Sequence, residues 1–425
     1  MNIMMFTNTF TPHIGGVARS VRGLADGLRE RGYRVVVVAP VFEGMVPNET
    51  DIVRIPALQH FRGSDFAVPM RVGHRLDAVL RTFKPDIVHA HHPFLLGDTA
   101  LAVAAALGVP AVFTYHTRYE LYSHYVPSDS PRMKRLVLEL ALGFCTLCDA
   151  VIAPSESIAA FLREHGVATR LEVIPTGVRL ERLLCSDADA ARRSLGIPVD
   201  VFVVGHVGRL APEKNLLFLA EALAGFLARH EGAHALVAGE GVLKQAILAI
   251  FEKHGVESRL HLVGVLDDTA LAQAYCAMDV FAFSSRSETQ GLVLAEAMAA
   301  GIPVVALDAP GTREILCDGV NGRLLPSETC ETFINALTWF AMLGAEERRR
   351  LYQGARDAAA RFSEPACIEQ VLTLYRSLAE FACLHRGGNG GAWHATRRRL
   401  RERWRIFRSI AHAVGDAVVN PYEPD

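Results

Sequence analysis

The sequence predicts an α/β protein of two Rossmann-like domains, each built on a doubly wound parallel sheet. The chain has 425 residues, which is too long for one ordinary core, and half of them are apolar. Two segments, residues 2–39 and 201–238, repeat the same strand, loop, helix, strand design. Their strands are unbroken apolar runs, as is typical of parallel strands covered on both faces and joined by right-handed crossovers.

The first half begins with a strand at Ile3–Asn8, a glycine-containing loop, a helix at Val17–Arg31 and a strand at Arg34–Ala39. Further apolar runs separated by helical patterns predict more strands of the same sheet. These are Ile87–Ala90, Ala111–Tyr115, Ala150–Ala153 and Glu172–Ile174.

The second half repeats the design with a strand at Val201–Val207, a loop at Gly208–Asn215, a helix at Leu216–His230 and a strand at Ala235–Ala238. Later strands are expected at Leu260–Val263, Val280–Ser284 and Pro303–Ala306. We place a hinge near residues 180–198, where Pro198 and polar residues interrupt the pattern. The predicted divisions are a first Rossmann-like domain (1–190), a second Rossmann-like domain (191–365), a helix that returns to the first domain (366–385), and a glycine linker with a basic tail (386–425).

Composition narrows the function classes. The formal net charge of −2 argues against a polyanion-binding protein. Eight scattered cysteines fit a reducing compartment better than a disulfide framework, and we interpret Cys145 and Cys148 as structural. We expect no signal peptide at the N-terminus and no membrane-spanning helix.

The loop after the first strand of the second half carries two cations, Arg209 and Lys214. In doubly wound sheets, ligands bind beyond the carboxyl ends of the strands. Two cations at that point can hold a diphosphate and neutralise the charge that develops as it leaves. The alternative is a solvated surface loop.

The segment Ser284–Ala306 predicts a strand end, a loop at Ser285–Gly291 and a helix from about Leu292. Glu288 lies just before the helix and Glu296 more than a turn inside it. Carboxylates there suit hydrogen bonds to the hydroxyls of a sugar and a ribose. Alternatively, Glu288 caps the helix and Glu296 is a surface acid.

The run ETQGLVLAEAMAAGIPVVA (288–306) resembles the Glu-x(7)-Glu signature of retaining glycosyltransferases of family four, which have the GT-B fold. VGRLAPEKN (207–215) and DGVNGRLL (318–325) are similar to further patterns of that family, and the resemblance extends to about residue 380. It implies a nucleotide-diphosphate sugar as co-substrate, bound in a cleft between the domains, and no metal or other cofactor.

The resemblance also implies roles for individual residues. Arg209 and Lys214 would bind the donor phosphates, Glu288 the transferred sugar and Glu296 the ribose, while Val265 would pack against the base. Of these, Glu288, Arg209 and Lys214 are catalytic candidates, together with His116. The other donor-binding candidates are Gly16, Gly239, Thr289, Gln290, Gly291 and Leu292.

The acceptor candidates lie in the first half, in HAHHPFLLGD (89–98) and TYHTRYELYSHYVP (114–127). Both segments resemble bacterial diacylglycerol glucosyltransferases of the family, and we name His92, His116 and Tyr119. His116 matches a histidine near the sugar in that family, although a purely structural histidine is the alternative. His89, His91 and His92 could together suggest a metal site, but we favour the interpretation that they border the acceptor cleft.

The C-terminal tail has the pattern of an amphipathic helix, because apolar residues recur on one face between 393 and 414, among several arginines. This pattern is typical of a helix lying on an anionic membrane surface. Packing on the protein and binding of an acidic partner such as RNA are the alternatives. The membrane contacts would include Trp393, Arg397, Trp404 and Arg405.

The leading hypothesis is a retaining hexosyltransferase that moves glucose from a nucleotide donor to a lipid such as diacylglycerol. It would be cytoplasmic and peripheral on the inner face of the cell membrane. The second hypothesis is the same transfer to a soluble or polysaccharide acceptor. Two further hypotheses are a nucleotide-sugar epimerase or hydrolase and an inactive binding protein.

Overall fold

The computed structural model of the protein describes residues 1–13, 15–45, 49–58, 68–69, 74–120, 130–185 and 187–386. The chain forms two compact units, one containing the described residues of Met1–Gly177 together with Glu364–Arg386, the other those of Val178–Ser363. The division thus precedes residue 190, because Val178 and Leu183 are buried in the core of the second unit. The tail, with the membrane candidates Trp393, Arg397, Trp404 and Arg405, lies outside the described residues.

The first unit contains a parallel sheet with strand order β3-β2-β1-β6-β7-β8-β9 among the described residues. Its strands are β1 (Asn2–Phe6), β2 (Arg34–Pro40), β3 (Ile52–Ile55), β6 (Ile87–Ala90), β7 (Ala111–Thr114), β8 (Ala150–Ala153) and β9 (Arg170–Val173), with a short antiparallel pair of β4 (Ala57–Leu58) and β5 (Val68–Pro69). Its helices are α1 (Gly16–Glu30), α2 (His74–Phe83), α3 (Leu96–Leu107), α4 (Pro131–Leu147), α5 (Glu156–Glu164) and α13 (Glu364–Arg386).

Helix α1 buries one face against this sheet, because Val21, Ala25 and Leu28 recur at helical spacing and are fully buried. Helix α13, at the end of the described chain, packs on α1. A Cβ atom at Gly27 of α1 would lie 2.1 Å from Cδ1 of Ile368, so the glycine makes room for that side chain between the two helices. Tyr375 of the same helix is fully buried in the first unit's core.

The second unit contains a parallel sheet with strand order β12-β11-β10-β13-β14-β15 among its described residues. The strands are β10 (Phe202–Val207), β11 (Ala233–Ala238), β12 (Leu260–Gly264), β13 (Val280–Phe283), β14 (Val304–Leu307) and β15 (Gly322–Leu325). The helices are α6 (Ala188–Ser194), α7 (Leu216–Arg229), α8 (Lys244–Lys253), α9 (Asp268–Cys276), α10 (Leu292–Ala299), α11 (Cys330–Met342) and α12 (Ala345–Ala360).

Each sheet has a switch point, where successive strands continue on opposite sides of the first strand. In the first unit, β1 lies between β2 and β6, and in the second unit β10 lies between β11 and β13. Such points leave a crevice at the carboxyl ends of the two central strands, which is where ligands of doubly wound sheets bind.

One disulfide bond was not expected from a cysteine distribution that we interpreted as fitting a reducing compartment better than a disulfide framework. Cys185, which precedes α6, is bonded to Cys276 at the end of α9, and the other cysteines form no disulfide bond. The two partners are 91 residues apart, so no local spacing signals the bond. Cys145 and Cys148 are buried near the end of α4 and are not bonded to each other.

No helix among the described residues combines the length and apolar character needed to cross a bilayer.

Candidate active site

The switch point of the second unit brings together the two loops that the sequence singled out. Lys214 follows β10, and Glu288 follows the neighbouring strand β13. Lys214 Nζ lies 2.6 Å from Glu288 Oε1, and both side chains are mostly buried. Residues 74 positions apart in the chain therefore form one charged centre at the carboxyl edge of the sheet.

Glu288 is held as a carboxylate. Burial opposes its ionisation, but the ammonium group of Lys214 and a hydrogen bond from Ser285 together outweigh burial, so the pKa of Glu288 lies below its ordinary value. The residue before α10 in the capping position is Gly291, which makes no side-chain cap. The alternative that Glu288 caps this helix is therefore wrong.

Arg209 is also paired, with a residue that the sequence did not single out. Its Nη2 lies 2.9 Å from Oε1 of Glu213, one turn further along the same loop. The arginine side chain is 42% exposed whereas that of Glu213 is 4% exposed. The buried carboxylate of Glu213 thus holds the guanidinium group, which remains partly exposed to solvent.

Close backbone contacts lock this loop to the one after β11. Gly239 adopts a φ of +144°, and a Cβ atom there would lie 1.9 Å from the carbonyl oxygen of Gly208. The amide of Leu210 donates to the carbonyl of Glu240 at 2.9 Å. Gly239, predicted to lie near the nucleotide, is needed here because no side chain fits.

Glu296 is buried inside α10 and is not a surface acid. It is 7% exposed, and its Oε2 accepts a hydrogen bond of 2.8 Å from the hydroxyl of the fully buried Tyr275. Tyr275 lies on α9, so the bond fixes the carboxylate between two helices. The predicted contact of Glu296 with a ribose stays a prediction.

The other donor candidates of this unit surround the start of α10 and the end of β12. Gly291 takes a left-handed conformation with φ of +72°, which turns the chain from the loop into the helix at Leu292. Gln290 is 7% exposed, and Thr289 is half-buried. Val265 is 54% exposed, so its side chain offers an apolar surface just beyond β12.

Two further residues at this switch point were missed. Glu328, between β15 and α11, accepts a hydrogen bond of 3.0 Å from Nδ2 of Asn215 and forms an ion pair with Arg286. His206, near the end of β10, is buried and shares a hydrogen bond of 3.0 Å with the carbonyl of Ala282. Burial lowers the pKa of His206 to about 4. Neither residue belongs to a short motif, so only the fold reveals them.

The first unit has a cluster of histidines near its own switch point, at the carboxyl ends of β6 and β7. His89 contacts Tyr375 at 2.6 Å through Nδ1 and Thr114 at 2.8 Å through Nε2. His91 contacts His116 at 2.9 Å. The sequence placed His116 near an acceptor and did not foresee its contact with His91.

Nδ1 of His92 accepts a hydrogen bond of 3.1 Å from the amide of Asn8. The side chain of Asn8 in turn accepts a hydrogen bond from the amide of Leu96, the first residue of α3. Because the amide donates to Nδ1, a neutral His92 carries its proton on Nε2. The side chain is thereby oriented by the loop after β1.

These histidines are neutral at physiological pH. Burial lowers the pKa values of His89, His92 and His116 to about 3, and that of His91 lies well below its ordinary value. The described residues contain no group of three or more His, Cys, Asp or Glu side chains arranged to hold a metal ion. His89, His91 and His92 point to different protein partners.

Two remaining candidates lie beside this cluster. The ring of Tyr119 packs edge-on against Phe94 and Tyr115, with ring centroids 5.4 and 5.9 Å apart, and burial raises its pKa. Gly16 begins α1, and a Cβ atom there would meet nothing within 4 Å, so the start of this helix is open.

The two centres suit different chemistry. Charged pairs at the second unit's switch point can neutralise phosphates and accept hydrogen bonds from hydroxyls. Neutral imidazoles at the first unit's switch point can donate or accept single hydrogen bonds without adding charge.

The chain belongs to glycosyltransferase family 4. Residues 14–182 match the family described as Glycosyltransferase Family 4, and residues 187–358 match Glycosyl transferases group 1. This confirms the resemblance inferred from the sequence. The enzyme class that follows is a glycosyltransferase with a nucleotide-sugar donor.

Curated relatives differ in what they transfer. The chain is 30% identical to an alpha-monoglucosyldiacylglycerol synthase of Acholeplasma laidlawii over 76% of this chain and 84% of the relative. It is 31% identical to a GDP-mannose-dependent alpha-mannosyltransferase of Mycolicibacterium smegmatis over 87% of this chain and 96% of the relative.

Solved structures share the fold. The protein HepE of Anabaena, in complex with UDP and glucose, is similar with a TM-score of 0.71 and 22% identity over 89% of this chain and all of that one. Sucrose-phosphate synthase of Thermosynechococcus elongatus gives a TM-score of 0.70 at 23% identity, covering 89% of this chain and 98% of the other. The two Rossmann-like units are thus those of the GT-B fold.

Proposed function

We propose that this protein is a retaining hexosyltransferase that moves glucose from a nucleotide-diphosphate donor to the hydroxyl of a lipid such as diacylglycerol. The observation that carries the proposal is the Lys214–Glu288 pair, with Nζ and Oε1 2.6 Å apart at the switch point of the second unit. It supplies a cation for the departing diphosphate and a carboxylate for sugar hydroxyls in one place.

In the proposed reaction, the bond between the sugar C1 and the β-phosphate oxygen breaks, and the acceptor oxygen forms a bond to C1 on the same face. The acceptor proton passes to the departing phosphate, so the reaction needs no protein base. Lys214 and Arg209 stabilise the negative charge that develops on that phosphate. Glu288 accepts hydrogen bonds from sugar hydroxyls and orients the ring, while Glu296 binds the ribose.

The preference for glucose and a lipid rests on two supports. One is the similarity to two curated alpha-monoglucosyldiacylglycerol synthases, of Streptococcus pneumoniae and Acholeplasma laidlawii. The other is the basic and aromatic pattern of residues 393–414, which suits adsorption to anionic lipid. On this proposal the enzyme works at the inner face of the cell membrane, with Trp393, Arg397, Trp404 and Arg405 as lipid contacts.

A second candidate is transfer of mannose from GDP-mannose. The similarity to the mycobacterial mannosyltransferase, which extends over 96% of that relative, favours it. The charged donor candidates Arg209, Lys214, Glu288 and Glu296 suit either sugar nucleotide, because they would address phosphates and hydroxyls, and Val265 is the candidate expected to face the base.

The experiment incubates the full chain with anionic liposomes containing diacylglycerol and with radiolabelled UDP-glucose or GDP-mannose in parallel. Label is counted in the organic phase, and the anomeric configuration of the product is determined by nuclear magnetic resonance. We expect an α-linked glucolipid from UDP-glucose, and its formation to fall by about 100-fold or more in Glu288→Ala. The matched control is Glu252→Ala, on helix α8 outside the site.

Lipid label from GDP-mannose alone would favour the second candidate. Release of UDP with a soluble acceptor, and none into lipid, would overturn the lipid assignment. Equal rates for Glu288→Ala and the native chain would overturn the donor site itself.

A further inference from the structure

The loop between β6 and α3 contains a leucine in a backbone conformation that leucine rarely adopts. Leu95 has a φ of 59° and a ψ of −101°, outside the regions that residues with a side chain commonly occupy. Its side chain is 44% exposed, so full burial in the core does not offset the cost of this conformation. Because strained residues cluster at binding and catalytic sites, this leucine needs a functional explanation.

The side chain of Asn8, in the loop after β1, holds the backbone on both sides of Leu95. Its Nδ2 donates a hydrogen bond of 3.0 Å to the carbonyl oxygen of Phe94. Its Oδ1 accepts a hydrogen bond of 3.2 Å from the amide of Leu96. The strained residue therefore lies between two backbone groups that are fixed by one side chain from the neighbouring strand.

The main chain of Asn8 fixes the histidine of the same loop. Its amide donates to Nδ1 of His92 at 3.1 Å. Thr7 Oγ1 lies 3.4 Å from that nitrogen but donates its own proton to the carbonyl of Thr9 at 2.8 Å, so it does not compete. An amide can only donate, so the proton of the neutral ring is on Nε2. His92 thus offers a hydrogen-bond donor on the side of its ring that is turned away from Asn8.

His92 and Leu95 belong to one compact loop at the carboxyl end of β6. The loop folds back on itself, because a Cβ atom at Gly97 would lie 2.0 Å from the carbonyl oxygen of His92. This edge of the sheet is where ligands of doubly wound sheets bind. An N–H group binds an oxygen, whereas an exposed leucine favours hydrocarbon over a hydroxyl, which it would leave without a hydrogen bond. A ligand that suits both is an alcohol or ester whose oxygen adjoins a hydrocarbon chain.

We propose that this loop is an acceptor subsite for a lipid alcohol, in which Nε2–H of His92 binds an oxygen of the glycerol or ester group and Leu95 contacts the adjoining hydrocarbon. Asn8 is the positioning residue of the subsite, because it fixes both. Leu95 then determines selectivity, since an acceptor without a hydrocarbon chain gains little from it. The use of the subsite in transfer rests on the proposed function, whereas the strain at Leu95 does not.

Thermal unfolding of the full chain tests the strain without any turnover. Leu95→Gly relieves the conformation, so we expect its midpoint to be unchanged or raised. The matched control is Leu107→Gly, because Leu107 ends α3 and is 40% exposed. Glycine in that helical position should lower the midpoint by about 2–4 °C. A fall in Leu95→Gly as large as that in Leu107→Gly would overturn the strained presentation of Leu95.

Two acceptors that differ only in hydrocarbon test the role of Leu95. The full chain is assayed with UDP-glucose, anionic vesicles and either dioctanoylglycerol or diacetylglycerol, which have the same hydroxyl and ester oxygens. We expect Leu95→Gly to raise the acceptor KM for dioctanoylglycerol by about 10-fold and that for diacetylglycerol by less than about twofold. Leu95→Met should recover most of the loss. An unchanged KM for dioctanoylglycerol, or an equal increase for both acceptors, would overturn the role of Leu95.

Substitution of His92 should affect both acceptors, because both contain the oxygens. We expect His92→Phe to raise each acceptor KM by about 10-fold with the donor KM within about twofold. His92→Gln keeps an N–H group near the place of Nε2 and should recover part of the loss. Unchanged acceptor KM values in His92→Phe, or an equal rise in the donor KM, would overturn the hydrogen-bond part of the proposal.

Variants of Asn8 test positioning, because this side chain holds the loop from outside the subsite. Asn8→Ala should raise the KM for dioctanoylglycerol at least as much as Leu95→Gly does. Asn8→Asp should have an intermediate effect, because it keeps the oxygen for the amide of Leu96. Acceptor KM values equal to those of the native chain in Asn8→Ala would overturn its positioning role. Absence of transfer in the native chain would instead overturn the proposed function, since the unfolding comparison needs no turnover.

Discussion

The two units place opposite kinds of polar group at the same point of the same kind of sheet. After β10 and β13, the second unit has charged side chains in pairs, Lys214 with Glu288 and Arg209 with Glu213. After β6 and β7, the first unit has neutral histidines in contact with one another, including His91 and His116. Both sets lie beyond the carboxyl ends of the strands, so the fold supplies the place and the residues supply the chemistry.

The difference shows how the surroundings of a buried group determine its protonation state. A carboxylate at the second switch point stays ionised because a cation lies against it. At the first switch point, burial is the largest influence on the pKa values of His92 and His116 and keeps both imidazoles neutral. A diphosphate requires charge, whereas a hydroxyl requires only an oriented hydrogen bond.

Acid should therefore destabilise the first unit more than the second. The pKa values of His89, His92 and His116 in the folded chain are about 3, below the ordinary value of 6.5. Stability is complete above about pH 6.5 and is lost as the pH falls towards 3, because the unfolded chain takes up protons that the folded chain does not. Each histidine contributes up to about 1.4 kcal/mol per pH unit in that range.

Hydrogen exchange with mass spectrometry at pH 7.5 and 5.5, corrected for intrinsic exchange rates, measures this. We expect peptides covering β6 and β7 to lose more protection at pH 5.5 than peptides covering β10 and β13, because four buried histidines with lowered pKa values lie at the first switch point and His206 lies at the second. His89→Asn should reduce the pH dependence of the first unit, and the exposed His165→Asn is the control. An equal loss in both units would contradict the contrast between them.

Removing the charge of Lys214 at the second switch point should lower the rate of transfer. Lys214→Met leaves Glu288 buried without its cation and removes a contact to the departing phosphate. We expect kcat/KM for the donor to fall by about 100- to 1,000-fold, the loss typical of one group that stabilises developing charge. Steady-state transfer rates measure it.

Two further variants make that result specific. Lys214→Arg should recover part of the rate because it keeps the charge. Lys253→Met breaks a more exposed ion pair, with Glu221 on the outer helices, and should leave the rate near that of the native chain. A Lys214→Met rate within a few-fold of the native one would remove the charged centre from the mechanism.

Much of the scaffold was predictable, because parallel strands are long apolar runs. The strand Ile87–Ala90 and the start of α10 at Leu292 were predicted at their observed residues. Lys214 and Glu288 were predicted as single residues, and their ion pair follows from the adjacency of β10 and β13. Adjacency is a property of the topology, so contacts of this kind carry no local signal.

The contacts that were missed lie further apart in the chain. The bond between Cys185 and Cys276 spans 91 residues, and His89 reaches Tyr375 across 286. The disulfide bond was not predicted for this reason, since no spacing rule connects such partners. Glu328 was missed likewise, because it follows β15 but acts on Asn215, 113 residues earlier.

Substitution of Glu328 should have the smallest effect of these changes, because Glu328 contacts Asn215 and not Lys214 or Glu288. Its Oε1 accepts from Nδ2 of Asn215 at 3.0 Å, and Ser284 Oγ donates to the carbonyl of Lys214 at 3.0 Å, so two loops are held together next to Lys214. Glu328→Ala leaves this side of the loop unsupported. We expect the donor KM to rise by about 3- to 10-fold with kcat nearly unchanged, as for loss of one charge-assisted hydrogen bond.

The conservative variant Glu328→Gln keeps an oxygen for Asn215 and loses only the charge opposite Arg286. Its donor KM should therefore lie between those of the native chain and Glu328→Ala. Glu331→Ala breaks the exposed pair with Arg229 one helical turn away and is the matched control. If Glu328→Ala lowered kcat as strongly as Lys214→Met does, the loop that holds Glu328 would contribute to the chemical step. In that case the second unit would not separate residues that stabilise developing charge from residues that position them.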